Sequence, residues 1–346
     1  MNTDSDRRAT LICCALAALL IGGCQRVLDS QIEQGVNRAD RTMLTSPDLQ
    51  VVLCGTGSPL PDKTRAGACT AIVAGGQVVL VDVGPGAWET LDLAGVPTGA
   101  LSAVLLTHFH SDHIGDLGEA ITQSWIAGRT QPLPIYGPPG TARVVAGFDE
   151  AYAQDADART LHHGEDYMPH AVEPAVAHEI ALGDGENADA VVFERDGLRV
   201  TMFRVHHDPV RPAVGYRFDY KGRVVVVSGD TAKTASIAEH AKGADLLIHE
   251  ALNREMMGRI SEVAARVGQP RIGKMAHDTL DYHTSPVEAA ELARDAGVHT
   301  LVFTHVVPGP RNFLMRHMFV AGVADVFNGE VVIGEDGQRF DLPPKS

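Results

Sequence analysis

Thr107-His108-Phe109-His110-Ser111-Asp112-His113 is the stretch that decides the fold of this chain. It places three histidines and one aspartate within six residues, directly after the apolar run Ala103-Val104-Leu105-Leu106. Imidazole nitrogens and carboxylate oxygens are the ligands that a catalytic metal ion takes. A strand that ends in a turn aims His108 and His110 at one metal. The next turn presents Asp112 and His113 to a second.

The flanks of this motif read as sheet and helix. Leu49 to Gly57 reads as a first strand closing in a glycine turn. Ala71-Ile72-Val73 and Val78 to Gly84 read as two more, divided by the turn Gly75-Gly76. After the motif, Leu117, Ile121 and Trp125 recur at helical spacing within Gly115 to Ala127. Leu133 to Gly140 reads as a strand and tight turn, followed by a helix from Thr141 to Tyr152. The segment Asp155 to Glu186, rich in Asp, Glu, His and Pro, is expected to be an insertion over the mouth of the site. His162 and His163 would then contact substrate, with His170 and His178 on the surface. In the second half, Asp196-Gly197 and Lys221-Gly222 each join two strands as a hairpin. Helical patterns cover Thr234–Ala241, Leu252–Val267 and Pro286–Ala296, and strands at Thr300–Thr304 and Glu330–Ile333 close the domain.

A dinuclear site needs more donors than one motif supplies. Three further candidates each follow an apolar strand: the pair His206-His207, then Asp230, then His305. Neighbours on a strand point to opposite faces, so only one of His206 and His207 can face the metals. A carboxylate such as Asp230 can bridge two metals about 3.5–4 Å apart, the spacing used in two-metal hydrolysis.

Together these residues carry a resemblance. T-x-H-x-H-x-D-H resembles the metallo-β-lactamase superfamily of dinuclear metal hydrolases. Ser228-Gly229-Asp230-Thr231 resembles the bridging-aspartate motif of its ribonuclease Z and arylsulfatase branch. The stretch Arg211 to Gly222, Ile248-His249-Glu250-Ala251 and Tyr282-His283-Thr284-Ser285-Pro286 look like the arylsulfatase-like subgroup. The resemblance spans about Leu49 to Val332. It implies an α/β fold, the αββα sandwich of two mixed sheets flanked by helices. It also implies two zinc ions per chain, with manganese or iron as substitutes, since such sites discriminate weakly among metals. The first metal would take His108, His110 and His207, and the second Asp112, His113 and His305, with Asp230 between them. Spacing back from Gly215-Tyr216-Arg217 selects His207 over His206. Asp112 would also serve catalysis. By resemblance to ribonuclease Z, His283 donates a proton to the leaving group and Glu250 orients it.

Composition bounds the rest. Arg7-Arg8 precede an apolar run from Ala9 to Ile21, too short to span a membrane. Leu20-Ile21-Gly22-Gly23-Cys24 looks like a bacterial lipoprotein cleavage box. The expected organisation is a lipoprotein-type signal over residues 1–24, a tether over 25–47 and a hydrolase domain over 48–346. Lipidated Cys24 would anchor an exported, periplasmic protein to a membrane. The formal net charge of −15 counts against a polyanionic partner, so nucleic acid is not expected. Cys54 and Cys69 fall on neighbouring strands. Two buried free thiols are expected in preference to a disulfide, because a bridge demands a narrow Cα–Cα range. A homodimer is compatible with the sequence.

The function expected from these features is hydrolysis of small-molecule sulfate or phosphate esters, arylsulfatase-like, with hydroxide on the metal pair as nucleophile. The alternatives are a phosphodiesterase or ribonuclease Z-like tRNA 3′ endonuclease, which uses the same motifs, and a non-catalytic zinc-binding lipoprotein.

Overall fold

The structure, a computed structural model, describes residues 25–345. The signal segment expected over 1–24, with the lipidated Cys24, lies outside the described residues. Residues 25–36 form a helix whose Val27, Leu28, Ile32 and Val36 are exposed. A separate compact unit begins at Arg41, seven residues before position 48. Its 3-10 turn Arg41–Leu44 buries Met43 in the domain core. No helix among the described residues is long and apolar enough to cross a membrane.

The compact unit is built from two seven-stranded sheets. The first contains β1 (Leu49–Gly55), β2 (Cys69–Ala74), β3 (Gln77–Val81), β4 (Leu101–Leu105), β5 (Leu133–Gly137) and β6 (Ala175–Glu179), side by side in that order. The second contains β7 (Asp189–Arg195), β8 (Leu198–Arg204), β9 (Val214–Tyr220), β10 (Arg223–Val227), β11 (Leu246–Leu252), β12 (Thr300–Val307) and β13 (Glu330–Ile333), again in chain order. The last strand, β14 (Arg339–Leu342), returns to pair antiparallel with β1 at the edge of the first sheet. Each sheet is antiparallel at one end and parallel at the other. The change falls between β3 and β4 in the first sheet and between β10 and β11 in the second.

Period-two alternation explains the layers. Leu49, Val51 and Leu53 of β1 face the second sheet and pack with Tyr216, Phe218, Val225 and Ile248. Val52 and Cys54 face the other way, into a core shared with Trp88 and Leu91 of the helix Ala87–Leu93 and with Leu117 and Ile121 of the helix Leu117–Ile126. On the far side, Val226 and Leu247 pack against Ala289, Ala290 and Ala293 of the helix Pro286–Ala296. Strands β11 and β12 are buried along their whole length, as strands covered on both faces must be. The architecture is the αββα sandwich.

Three elements differ from expectation. The helix after the β5 turn does not stop at Tyr152 but runs from Thr141 to His163. Ala175–Glu179, within the expected insertion, is strand β6 and pairs parallel with β5. The segment 155–186 therefore holds the end of that helix and the edge strand of the first sheet. Buried Arg129 anchors it, donating to the Val172 and Glu173 carbonyls at 2.7 and 2.8 Å. His170 meets Asp157 at 2.8 Å, and His178 stacks on Tyr136. The helix Pro270–Asp278 was not anticipated, although proline at its first turn is a start signal.

A fourth difference concerns the cysteines. Cys54 and Cys69 are joined by a disulfide, with Cα atoms 4.9 Å apart. The expectation of free thiols failed because of a β-bulge. The β1–β2 register slips between Leu53 and Gly55, placing Gly55 opposite Cys69, with Cys54 alongside. The bridge closes a 15-residue separation that carries the loop from Thr56 to Ala68. Replacing both cysteines by alanine is expected to cost about 3 kcal/mol of stability, the value for a loop of this length. Denaturant midpoints of the wild type with and without reductant, and of the double variant, check this. Coincident midpoints would mean that the bridge does not stabilise the fold.

Candidate metal centre

The centre forms where the ends of strands from both sheets meet. After β4, Thr107 and His108 turn inward, and the short helix Ser111–Ile114 presents Asp112 and His113. His207 follows β8 on a turn closed by a bridge to Val210. Asp230 follows β10 immediately after Gly229, at φ 62°. A Cβ at Gly229 would lie 2.6 Å from the Val214 carbonyl oxygen, so only glycine lets the chain turn here. His305 lies inside β12, where the β11–β12 register jumps from Glu250–Thr304 to Ala251–Val306. It is the unpaired residue of that bulge, at φ 43°, and the bulge aims its ring at the centre.

The expected residues converge. The Asp230 Oδ2 atom lies 3.3 Å from His113 Nε2, 3.4 Å from His305 Nε2, 3.8 Å from His207 Nε2 and 3.9 Å from His108 Nε2. Asp112 Oδ2 lies 3.1 Å from His305 Nε2 and 3.7 Å from His113 Nε2. His110, half-buried, has its ring 4.7 Å from that of His108 and 5.3 Å from that of His207. Donor atoms of His108, His110, His207 and Asp230 lie within 4.8 Å of one another, as do those of Asp112, His113 and His305. His206 stays out of these groups; its backbone N–H donates to Thr231 Oγ1 at 3.1 Å.

These residues fit a metal. The outer nitrogens of His108, His113 and His207, and Asp230 Oδ1, are buried without a hydrogen-bond partner. Their inner nitrogens are occupied: His108 by Thr107 Oγ1 at 3.0 Å, His113 by Asp82 at 2.7 Å, His207 by the Tyr282 carbonyl at 3.1 Å. Such inner contacts fix ring orientation and leave Nε2 for a cation. Buried polar atoms without partners are costly, and a pair of divalent ions held here would satisfy all four. Burial pushes the imidazoles of His108 and His207 below their ordinary pKa, which favours the neutral, ligating form. Burial opposes ionisation of Asp230, but His305 and His113 outweigh it and hold the carboxyl well below its usual range.

Asp82 was missed. It ends β3 at φ 58°, accepts from the Thr107 N–H at 2.8 Å and Thr107 Oγ1 at 2.7 Å, and orients His113. A carboxylate directly after the apolar run Val78–Val81 was the available signal, the same one that marked Asp230.

Glu250 and His283 meet beside the centre. His283 Nδ1 lies 3.2 Å from Glu250 Oε1, a close charge contact outside hydrogen-bond geometry. Glu250 Oε1 is held by the Thr284 N–H at 2.8 Å. Donor atoms of His283, Asp230 and His305 lie within 4.8 Å of one another. A cavity of about 1020 Å³ adjoins His305 through Val306 and is lined by Leu60, Arg65, Met256, Arg259 and Arg311, among others.

Comparison with known proteins agrees with this geometry. The Beta-lactamase superfamily domain matches residues 77–306. A Mycolicibacterium paratuberculosis protein named Ribonuclease Z is 40% identical over 301 residues, 86% of this chain and 100% of that protein. Its counterpart in Mycobacterium avium is 39% identical with the same coverage. Among solved structures, the short form of human tRNase Z superposes with a TM-score of 0.60 at 23% identity, covering 85% of this chain and 99% of that one. The Bacillus subtilis metallo-β-lactamase fold protein YhfI superposes at 0.58, with the same identity and coverage. These two likenesses concern the fold alone.

The ribonuclease Z relatives correct two expectations. The arylsulfatase-like reading with a small-molecule ester substrate is overturned, because full-length relatives at this identity are ribonucleases by name. The exclusion of nucleic acid falls with it. Net charge sums the whole surface and does not decide what one site on it binds. With a divalent-metal centre built on the expected strand ends, the chain belongs to the β-lactamase superfamily, in its ribonuclease Z branch, and is a metal-dependent hydrolase of ester bonds.

Proposed function

We propose that this protein is a dinuclear zinc phosphodiesterase that cleaves RNA, with the 3′ end of a tRNA precursor as its substrate. The observation that carries this reading is the Glu250–His283 pair beside the metal cluster, in a chain 40% identical to Ribonuclease Z over that relative's full length. His108, His110 and His207 would hold one ion and Asp112, His113 and His305 the other, with Asp230 shared. When bound, the ions supply Lewis acidity and activate the attacking water.

The chain's own residues do the rest. Asp82, the Tyr282 carbonyl and Thr107 hold three imidazoles in register. Glu250, fixed by the Thr284 N–H, keeps His283 turned toward the cluster. His283 gives its proton to the departing ribose oxygen, a poor leaving group without that help.

Export is a separate reading of residues 1–24 that competes with a tRNA-precursor substrate, which is made in the cytoplasm. Fractionation of cells making the full chain decides between them, membrane-bound processed protein ruling out the tRNA precursor. Residues 1–24 are read as a lipoprotein signal, 25–47 as a tether and 48–346 as the hydrolase domain, anchored to a membrane through Cys24. The Cys54–Cys69 disulfide supports an oxidising compartment.

The test uses the metal-loaded chain with a tRNA precursor carrying a 3′ trailer, and with bis(p-nitrophenyl) phosphate. Cleavage of the RNA at one site is expected, abolished by chelator and restored by zinc. RNA left intact by protein that hydrolyses the nitrophenyl diester would sink the RNA reading.

A further inference from the structure

Tyr282 lies in the turn between the helices Pro270–Asp278 and Pro286–Ala296, one residue before His283. Its ring is half-buried and stands edge-on to His207, centroids 5.0 Å apart, and 4.7 Å from His283. It therefore touches both a ligand of the centre and the proton donor. Its carbonyl takes the Nδ1 proton of His207 at 3.1 Å, so the backbone of this residue already serves the centre.

The hydroxyl is what remains unexplained. Among the described residues it has no hydrogen-bond partner. A tyrosine hydroxyl is a hydrogen-bond donor at neutral pH. Here is a donor on a ring that stands against both a candidate metal ligand and the proposed proton donor, with no protein acceptor among the described residues.

We propose that Tyr282 is a substrate-contacting residue, whose hydroxyl donates a hydrogen bond to a non-bridging oxygen of a phosphate group held at the metal centre. The inference rests on the phosphodiester reading and adds to it a binding contact. A hydrogen bond to a charged acceptor is a strong one, and its loss lowers affinity by roughly 10–100-fold. Tyr282→Phe removes the hydroxyl alone and keeps the ring against His207 and His283.

The experiment titrates the zinc-loaded full chain with inorganic phosphate by calorimetry, with zinc content measured on the same samples. Tyr282→Phe is expected to keep its zinc and to bind phosphate at least about tenfold more weakly than the wild type. Tyr282→Ala, which also removes the ring, is expected to bind no better than Tyr282→Phe. Equal phosphate affinity in the wild type and Tyr282→Phe, or no phosphate binding by the zinc-loaded wild type, would overturn the inference. The tRNA-precursor assay runs in parallel. Uncut RNA with Tyr282-dependent phosphate binding would remove the nuclease reading and leave this contact standing.

Discussion

Asp230→Ala is expected to release zinc and abolish turnover together. The Asp230 carboxylate is 3% exposed and stands within 3.3 to 3.9 Å of the outer nitrogens of four histidines. Among the described residues no other acidic group has this position: Asp112 reaches His305 and His113 only. Removing one partner from a buried charged network typically costs about 3–5 kcal/mol, because the groups left behind are neither paired nor solvated. Expressed through the ions it holds, that is roughly a 10²–10⁴-fold loss of turnover. Metal analysis should show the zinc content falling from two ions per chain to one or fewer. Asp230→Asn, which keeps the shape and loses the charge, should lie between. Full dinuclear loading in Asp230→Ala would remove the bridging role, whatever the activity.

The sequence made much of this centre legible, for a physical reason. His108, His110, Asp112 and His113 are contiguous because one strand end and one helical turn deliver all four. His207, Asp230 and His305 were visible because strands are apolar runs and a polar residue at their ends has few structural duties. Asp82 sat in the same kind of position, but its work is done by packing β3 against the turn after β4, and no spacing in the chain encodes that contact. The disulfide was hidden for a similar reason. It depends on the register slip between Leu53 and Gly55, which local propensity does not set. The helix through His163 was cut short because its second half is polar nearly all round and carries no apolar stripe to count. Substrate class was misread from the total charge, a quantity that does not decide what one site binds.

His283→Ala separates chemistry from scaffolding, and its effect should depend on what leaves. The imidazole is 5% exposed, and Glu250 Oε1 sits 3.2 Å from its Nδ1. That carboxylate is itself pinned by the Thr284 N–H, so the pair cannot drift away from Asp230 and His305. A carboxylate behind an imidazole steadies its direction, as a general acid requires. Ribose oxygen leaves RNA as an alkoxide unless a proton arrives as the bond breaks, and that assistance is worth roughly 10²–10⁴-fold. Nitrophenolate departs unaided. His283→Ala should therefore slow RNA cleavage by that factor while bis(p-nitrophenyl) phosphate hydrolysis falls less than about tenfold, with both metals retained. Glu250→Gln should follow the same pattern more weakly, since it disorients the acid without deleting it. Equal loss on both substrates, in protein that keeps its zinc, would move His283 from proton donor to substrate positioning.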